Sequence, residues 1–251
     1  MDDSKLSSAM DNSRQPAAAM DDSRYSRQLM LSEIGPKGQE RLARARVAVI
    51  GVGGLGSAAA LYLAGAGVGT LVLADPDEVS LSNLQRQVLY SEADTGLPKT
   101  SCAARRLSSL NSQVQLICFP QGLTAENGRQ LLAGCDLVVD CTDSYGARYL
   151  IDDLCASMSI PWVYGSISEF SGQLALLGGQ KKLRYSDIFP EREELCSLPR
   201  RTQGVLGAVP GVIGAMQAAV AVSYLASGYS SLDGSLFSID LLSFESSTID
   251  F

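Results

Sequence analysis

A glycine-rich segment early in the chain separates an apolar run from a run rich in Ala and Leu. It reads Gly-Val-Gly-Gly-Leu-Gly over residues 51–56 and follows the strand-like residues 46–50. Glycines let the backbone approach a phosphate closely, and the first turn of a following helix offers free N–H groups and partial positive charge. A tightly packed turn would also use glycines. The candidate phosphate-binding residues are Gly51, Gly53, Gly54 and Gly56.

Acidic and basic residues follow at the ends of later apolar runs. Asp75 comes directly after the run 71–74, where an acidic residue commonly accepts hydrogen bonds from ribose hydroxyls. Both NAD and ATP fit the pattern up to this point. Arg86 and Lys99 then add positive charge, which a triphosphate needs more than a dinucleotide does. Together these residues favour ATP, although each alone could form a surface salt bridge, and Asp75 or Asp77 could instead cap a helix.

Two further residues complete the candidate site. Asn83 lies in a polar segment, Ser-Asn-Leu-Gln-Arg-Gln, at 82–87. Asp143 closes the run Asp-Cys-Thr-Asp that ends the fourth predicted strand. A carboxylate at that edge can hold Mg²⁺, a hard cation that prefers oxygen ligands. The sequence therefore predicts a magnesium–triphosphate site.

The composition limits both the class of protein and its chemistry. With 251 residues, 46% hydrophobic and 19% charged, the chain can bury a core and is neither disordered nor fibrous. It has no histidine, which excludes His-activated nucleophiles and His-ligated metals. A net charge of −7 disfavours nonspecific nucleic-acid binding. Six cysteines are too few for a disulfide scaffold and fit a reducing compartment, so we expect a cytoplasmic protein.

Predicted strands alternate with predicted helices through the first two thirds of the chain. This order predicts a doubly wound, Rossmann-like α/β fold with a mostly parallel sheet. The last strands are expected to form a small antiparallel C-terminal extension, a lesser lobe on the substrate side. The predicted strands are 46–50, 71–74, 114–118, 137–140, 161–164, 173–177, 236–240 and 243–249, and the predicted helices are 56–64, 98–110, 125–132, 145–157 and 212–227.

The ends and interruptions of these patterns predict the domain organisation. Residues 1–23 are rich in Ser, Asp and Ala, which predicts a disordered tail. Residues 24–251 are expected to form one domain, in which 178–203 is a long mobile loop because it has mixed charge, two prolines and no clear period. The uncharged stretches 47–74 and 202–232 are interrupted by glycine or proline, so we expect buried elements and no membrane segment.

Several of these segments occur together in the order and spacing of one known family. They are Arg-Tyr-Ser-Arg-Gln at 24–28, the glycine loop, Asp75, Ser-Leu-Ser-Asn-Leu-Gln-Arg-Gln at 80–87, Pro-Lys at 98–99 and Cys-Thr-Asp at 141–143. From residue 24 to the C-terminus the sequence resembles the ThiF/MoeB/HesA family, the bacterial relatives of ubiquitin-activating E1 enzymes. The resemblance is nearest to the molybdopterin-synthase adenylyltransferase branch.

The resemblance implies an adenylyltransferase that uses ATP and Mg²⁺. Its substrate would be a small ubiquitin-like sulfur-carrier protein, MoaD- or ThiS-like, whose C-terminal Gly-Gly carboxylate is activated in molybdopterin or thiamine biosynthesis. Arg27 matches an arginine that reaches the neighbouring subunit's site, which implies a homodimer, and Arg148 matches another family arginine. The implied catalytic residues are Arg27, Arg86, Lys99 and Asp143 (the Mg²⁺ ligand), and the implied nucleotide-binding residues are Gly51, Gly53, Gly54, Gly56, Asp75, Asn83, Arg86 and Lys99.

The sequence departs from the family in its cysteines. Many relatives hold zinc with two Cys-x-x-Cys pairs, but 184–187 reads Arg-Tyr-Ser-Asp at the first position, so we expect no structural zinc. Some relatives also place a cysteine four residues before the Gly-Val-Leu-Gly element at 204–207, where this chain has Arg200. Cys196 is then either an incidental thiol or a participant in thiol chemistry. A separate sulfurtransferase is expected to complete sulfur transfer.

Three other functions remain open at this stage. The same adenylation chemistry could act on a peptide in natural-product metabolism, which the missing zinc motif makes credible. A non-catalytic dimeric binding module and an NAD-dependent oxidoreductase are the alternatives from other classes. The absence of histidine agrees with adenylation, because a C-terminal carboxylate is already ionised at neutral pH and needs no general base.

Overall fold

Eight strands form a single sheet in the computed structural model, which describes residues 22–199 and 204–251. The order is β3-β2-β1-β4-β5-β6-β7-β8, with β1 to β5 parallel and β6 to β8 antiparallel. The predicted fold class is confirmed. The strands are β1 Arg46–Ile50, β2 Thr70–Ala74, β3 Gln115–Phe119, β4 Leu137–Asp140, β5 Trp162–Ser168, β6 Ser171–Leu177, β7 Ser235–Asp240 and β8 Ser246–Asp250.

The antiparallel strands continue the same sheet and do not form a separate lobe. β6 pairs with β5 along its whole length, from Trp162 opposite Leu177 to Ser168 opposite Ser171. β7 then pairs with β6, and β8 with β7. Because β5 belongs to both the parallel and the antiparallel parts, the two parts share one continuous hydrogen-bonded surface.

Helices cover both faces of the sheet, as the alternation of side chains along β1 shows. Val47 and Val49 belong to the apolar cluster that contains helices α3 (Gly54–Gly65) and α9 (Ala208–Ser227). Ala48 and Ile50 belong to the cluster on the other face, which contains helix α6 (Tyr145–Met158). The described helices are α1 Asp22–Leu29, α2 Gly35–Arg44, α3 Gly54–Gly65, α4 Lys99–Leu110, α5 Gly128–Leu131, α6 Tyr145–Met158, α7 Tyr185–Ile188, α8 Arg192–Ser197 and α9 Ala208–Ser227.

The first two helices have no counterpart among the sequence-based predictions. α1 has a polar sequence and is held by tertiary contacts of one aromatic residue, Tyr25, which is 5% exposed. The Tyr25 hydroxyl accepts a hydrogen bond from Asn111 Nδ2 at 2.9 Å, and its ring lies against Gly67. A helix of eight residues is marginal on its own, so its stability comes from these contacts.

α9 is long and apolar enough to cross a membrane by length and composition. In the structure it packs against the sheet and against α3, with Ile213, Gln217 and Ala221 fully buried. The two helices approach closely at Gly214, where a Cβ would lie only 2.3 Å from the Leu55 carbonyl oxygen. This uncharged stretch is therefore a core helix in the present fold.

The segment expected to be an irregular loop contains two short helices, α7 and α8. Tyr185 at the start of α7 is fully buried, and the charged residues of the segment form ion pairs with α6. The segment therefore has helical structure and ion pairs with α6, although nearly all of residues 190–199 are exposed. Its mobility stays a prediction. The predicted tail, apart from its last two residues, and residues 200–203 lie outside the described part of the chain.

Candidate active site

The glycine-rich loop joins β1 to α3 at the carboxyl edge of the parallel strands. Gly51 has φ 90°, and a Cβ there would lie 2.6 Å from the Cys141 carbonyl oxygen, so both the backbone angle and the space require glycine. A Cβ on Gly56 would lie 2.0 Å from the Gly51 carbonyl oxygen. Gly53 immediately precedes α3 and has more space, since its Cβ would meet Gln87 Nε2 at 3.5 Å. The loop is therefore folded tightly onto the start of α3.

A cleft of about 700 Å³ opens beside this loop. One side is formed by the residues that follow β1 and β2, and the other by those that follow β4 and by the β5–β6 turn. Most of the predicted site residues converge on it. The predicted residues that line the cleft are Gly51, Gly53, Gly54, Asp75, Asn83, Arg86, Lys99, Asp143 and Arg148.

Asp75 is a buried carboxylate, 6% exposed, at the end of β2. Its Oδ2 accepts a hydrogen bond from the Val52 amide at 2.8 Å, and its Oδ1 accepts one from the Asp77 amide at 2.9 Å. Burial raises the pKa of Asp75 from its ordinary value, and the nearby Lys99 ammonium and the two amides oppose that shift. Carboxylate oxygens have further lone pairs, so Asp75 can also accept from ribose hydroxyls.

Lys99 begins α4 and is 4% exposed. Its Nζ lies 2.8 Å from Asp77 Oδ2 and 3.8 Å from Asp75 Oδ1. Two carboxylates thus hold a nearly buried ammonium group at the wall of the cleft. Among the sequence-based predictions Asp77 has only a possible helix-capping role, although the Asp-Pro-Asp run after β2 could have indicated a site residue.

Asn83 and Arg86 lie on a polar segment that is attached to the glycine loop. The segment begins with a 3₁₀ turn, Leu81–Asn83, and Arg86 Nη1 donates to the Ser82 carbonyl at 3.2 Å. The Tyr90 hydroxyl, further along the segment, donates to the Val52 carbonyl at 2.7 Å. Asn83 and Arg86 are half-buried, so both side chains have access to the cleft that they line.

Asp143 lies at the rim of the cleft and is exposed. Within residues 22–199 and 204–251, no group of three or more His, Cys, Asp or Glu is arranged to hold a metal by itself. Mg²⁺ is commonly bound by one or two carboxylates together with substrate phosphates, so a single rim carboxylate fits a metal that arrives with a nucleotide. The Mg²⁺ ligand and the absence of zinc stay predictions.

Two predicted site residues lie apart from the cleft lining. Gly56 is buried in α3 beneath the loop, where it supports Gly51. Arg27 is exposed on α1, whose Tyr25 contacts Gly67 and Gln113 just before β2 and β3. That edge is opposite the cleft, and a five-residue strand spans about 17 Å. Arg27 therefore does not reach the cleft of its own chain.

The cysteines are free thiols throughout the described residues. Burial raises the pKa of the Cys102, Cys135 and Cys155 thiols, which makes them poor nucleophiles. Cys196 is exposed on α8 and lies apart from the cleft lining. Its participation in thiol chemistry stays an open prediction.

Comparison with known proteins identifies the family. Residues 25–251 match the model described as the ThiF family. The chain belongs to the ThiF family. This ThiF-family chain is 41% identical over 229 residues to the SAMP-activating enzyme E1 of Haloferax volcanii, a match that covers 91% of the chain and 84% of the relative. It is 44% identical over 206 residues to the sulfur carrier protein ThiS adenylyltransferase of Escherichia coli K12, covering 80% of each.

A solved structure shows the same fold. The ThiF-family chain superposes on E. coli MccB, crystallised with MccA, with a TM-score of 0.80. The match covers 92% of the chain and 72% of MccB at 23% sequence identity. At that identity the likeness supports the fold alone.

Proposed function

We propose that this protein is an ATP-dependent adenylyltransferase that activates the C-terminal glycine carboxylate of a small ubiquitin-like sulfur-carrier protein. The observation that carries the proposal is the convergence of Asp75, Arg86, Lys99 and Asp143 on one cleft beside the glycine loop. The relative that is 44% identical is named as an adenylyltransferase of a sulfur carrier protein, which supports the substrate class.

The nucleotide would bind on the side of the cleft formed by β1 and β2. Asp75 would accept hydrogen bonds from the ribose, and the amides at the start of α3 would face the phosphates. Lys99, held by Asp77, and Arg86 would stabilise negative charge on the phosphate oxygens. These groups are fixed by the protein before ATP arrives, so little reorganisation is needed.

The reaction needs alignment more than proton transfer. A carboxylate oxygen of the carrier attacks the α-phosphorus of ATP, a new O–P bond forms, and the bond to the pyrophosphate oxygen breaks. The products are an acyl-adenylate and pyrophosphate, and no proton is removed from the nucleophile. The chain accordingly needs no general base, in agreement with its lack of histidine.

Asp143 would hold Mg²⁺ together with phosphate oxygens of the bound nucleotide. Bound there, the metal would neutralise negative charge on the leaving pyrophosphate. Asp143 is exposed at the rim, so a hydrated cation can reach it from solvent.

The carrier's tail would enter the cleft from the side formed by the β5–β6 turn and the start of α9. Ser168 and Glu169 line that side together with Gly204 and Val205, and Glu169 forms a β-bridge with Val205. A Gly-Gly tail would need little space there, because glycine has no side chain to accommodate.

The remaining parts of the proposal concern the partners of the protein and its location in the cell. A second copy of this chain would supply Arg27 to the cleft, which gives a homodimer with shared sites. A separate sulfurtransferase would convert the adenylate to a thiocarboxylate, for molybdopterin or thiamine biosynthesis, in the cytoplasm. No nucleic acid or membrane takes part in the proposed reaction.

The test is ATP–pyrophosphate exchange with the purified protein and candidate carriers that end in Gly-Gly. We expect exchange to require Mg²⁺ and a carrier, to be lost when the last glycine of the carrier is removed, and to be lost in Arg86→Ala. The proposal is wrong if no such carrier stimulates exchange.

The same assay separates the alternatives. Equal stimulation by a short Gly-Gly peptide and by the folded carrier would indicate peptide adenylation. NADH binding without Mg²⁺ would indicate an oxidoreductase, and an Arg86→Ala variant that retains its cellular function would indicate a binding module.

A further inference from the structure

Asp140 is a fully buried carboxylate at the end of β4, directly below the cleft. Its Oδ1 accepts hydrogen bonds from the Thr142 amide at 2.9 Å and from the Thr142 hydroxyl at 2.7 Å. Its Oδ2 has no hydrogen-bond partner among the described residues and lies 3.7 Å from Arg148 Nε. Burying a carboxylate charge at the end of an apolar strand lowers the stability of the fold, so we expect such a charge to serve a function.

The backbone of Asp140 is held from the opposite face of the sheet. The pairing of β4 with β5 ends at Val139 opposite Val163. Beyond that point Gln217 of α9 donates from Nε2 to the Asp140 carbonyl at 2.6 Å and to the Val163 carbonyl at 3.4 Å. The fully buried Gln217 therefore fixes the backbone position of Asp140.

Arg148 lines the cleft but is only 7% exposed. Its guanidinium lies 5.6 Å from the ring centre of Tyr145 and 5.5 Å from that of Tyr164, and its Nη2 donates to the Thr142 carbonyl at 3.2 Å. With Asp140 beside Nε, the guanidinium is restrained by one carboxylate, one backbone carbonyl and two aromatic rings. Arginine has five N–H donors in a planar fork, which suits an oxyanion.

We propose that Asp140 is a positioning residue that holds the Arg148 guanidinium, and the Thr142 turn that leads to Asp143, in place for a substrate oxyanion. This inference rests on the proposed function, because the oxyanion would be either the carrier's terminal carboxylate or a phosphate of ATP. Both have the planar or tetrahedral oxygen pairs that a guanidinium recognises. Asp140 itself touches neither substrate and acts through Arg148.

The first test observes the free protein and needs no carrier. In an ¹⁵N spectrum of arginine side chains, the Nε–H signal of Arg148, identified by its loss in Arg148→Lys, should exchange slowly with water. We expect Asp140→Asn to shift that signal and to speed its exchange with water at least tenfold. The control is Glu40→Gln, which breaks an exposed ion pair with Arg44 on α2 and should leave the Arg148 signal unchanged.

The second test measures steady-state ATP–pyrophosphate exchange. Asp140→Asn and Arg148→Lys should each raise the KM for one oxyanionic substrate at least tenfold, and the double variant should be no worse than the worse single variant. A raised KM for the carrier assigns the carboxylate as the oxyanion, and a raised KM for ATP assigns a phosphate.

Several results would overturn the inference. One is an Arg148 signal that Asp140→Asn leaves unchanged, and another is a pair of single effects that multiply in the double variant. If Asp140→Asn does not fold, Arg148→Lys with wild-type KM values for both substrates would also overturn it. If the wild type shows no carrier-dependent exchange while the Arg148 signal responds as expected, the proposed function fails and the positioning by Asp140 stands.

Discussion

Arg184 donates from both Nε and Nη2 to one oxygen of the buried carboxylate of Asp152, at 3.1 and 2.8 Å. The other oxygen of Asp152 accepts from the Tyr185 amide at 3.0 Å. Asp152 on α6 therefore fastens the start of α7, where the family's first Cys-x-x-Cys pair would fall. Charge and hydrogen bonding attach this segment to the domain without a metal ligand from 184–187.

Removal of the Asp152 charge should loosen that segment and destabilise the fold. Asp152→Asn leaves the half-buried Arg184 without its main partner, so we expect a loss of about 3 kcal/mol in the free energy of unfolding, measured by urea denaturation. Asp153→Asn is the matched control on the same helix. Its carboxylate is 46% exposed, so its loss should cost under about 1 kcal/mol. Equal losses in the two variants would contradict this account.

Gly56 should be intolerant of a single methyl group. Gly56→Ala places a Cβ 2.0 Å from the Gly51 carbonyl oxygen, so the loop must move, and we expect ATP affinity measured by calorimetry to fall at least about tenfold. Gly65→Ala, at the other end of α3, meets nothing within 4 Å. That control should keep wild-type affinity and gain up to about 1 kcal/mol of stability. Unchanged ATP binding in Gly56→Ala would show that the loop does not depend on this contact.

Metal removal should separate activity from stability. EDTA should abolish exchange, because Mg²⁺ is needed with the nucleotide, and added Mg²⁺ should restore it. The thermal midpoint of the protein without nucleotide should stay unchanged in EDTA and in a strong zinc chelator. A midpoint that falls with the zinc chelator, and recovers with Zn²⁺, would reveal a structural zinc site that the prediction excludes.

The role proposed for Arg27 can be tested by mixing inactive variants. Arg27 lies at the edge opposite its own cleft, so in a homodimer it would act in the partner's site. Arg27→Ala and Arg86→Ala should each be inactive, whereas dimers re-formed from an equal mixture should recover about a quarter of wild-type exchange, because half are mixed dimers with one intact site. A mixture as inactive as its components, despite demonstrated subunit exchange, would contradict a shared site.

Asp140 should make stability fall as the pH rises through the weakly acidic range. Burial raises the pKa of Asp140 to about 6, and the Arg148 guanidinium opposes the shift. Between an ordinary aspartate pKa of about 4 and that value, the native state binds more protons than the unfolded state, so the unfolding free energy decreases as the pH rises. The measurement is urea unfolding at both ends of that range for the wild type and Asp140→Asn. The difference between the two proteins isolates this carboxylate, and a wild type that gains stability relative to the variant as the pH rises would contradict the prediction.

Local patterns were enough to predict most of the parallel sheet. After Arg46 and Thr70 at their first positions, β1 and β2 are apolar and are followed by glycine and aspartate, and β4 is apolar up to its final Asp140. Their strand character is therefore present in a few consecutive residues. The helix after Pro98 was likewise predicted within one residue, because proline marks the first turn of a helix. α1 lacks such a signal, since its stability depends on Tyr25 reaching Asn111, which is far away in the sequence.

The sequence by itself determined the fold class and which glycine and charged residues line the cleft. Apolar strand runs, the glycine loop and the charged residues at strand ends are all local features of the sequence. Only the tertiary structure decided which carboxylate pairs with which lysine or arginine side chain. Lys99 pairs with Asp77, Arg148 lies beside Asp140, and Arg184 pairs with Asp152. The two residues of each pair belong to different segments of the chain. Such pairings depend on distances between chain segments and on burial, and neither quantity is encoded in the spacing of residues along the chain.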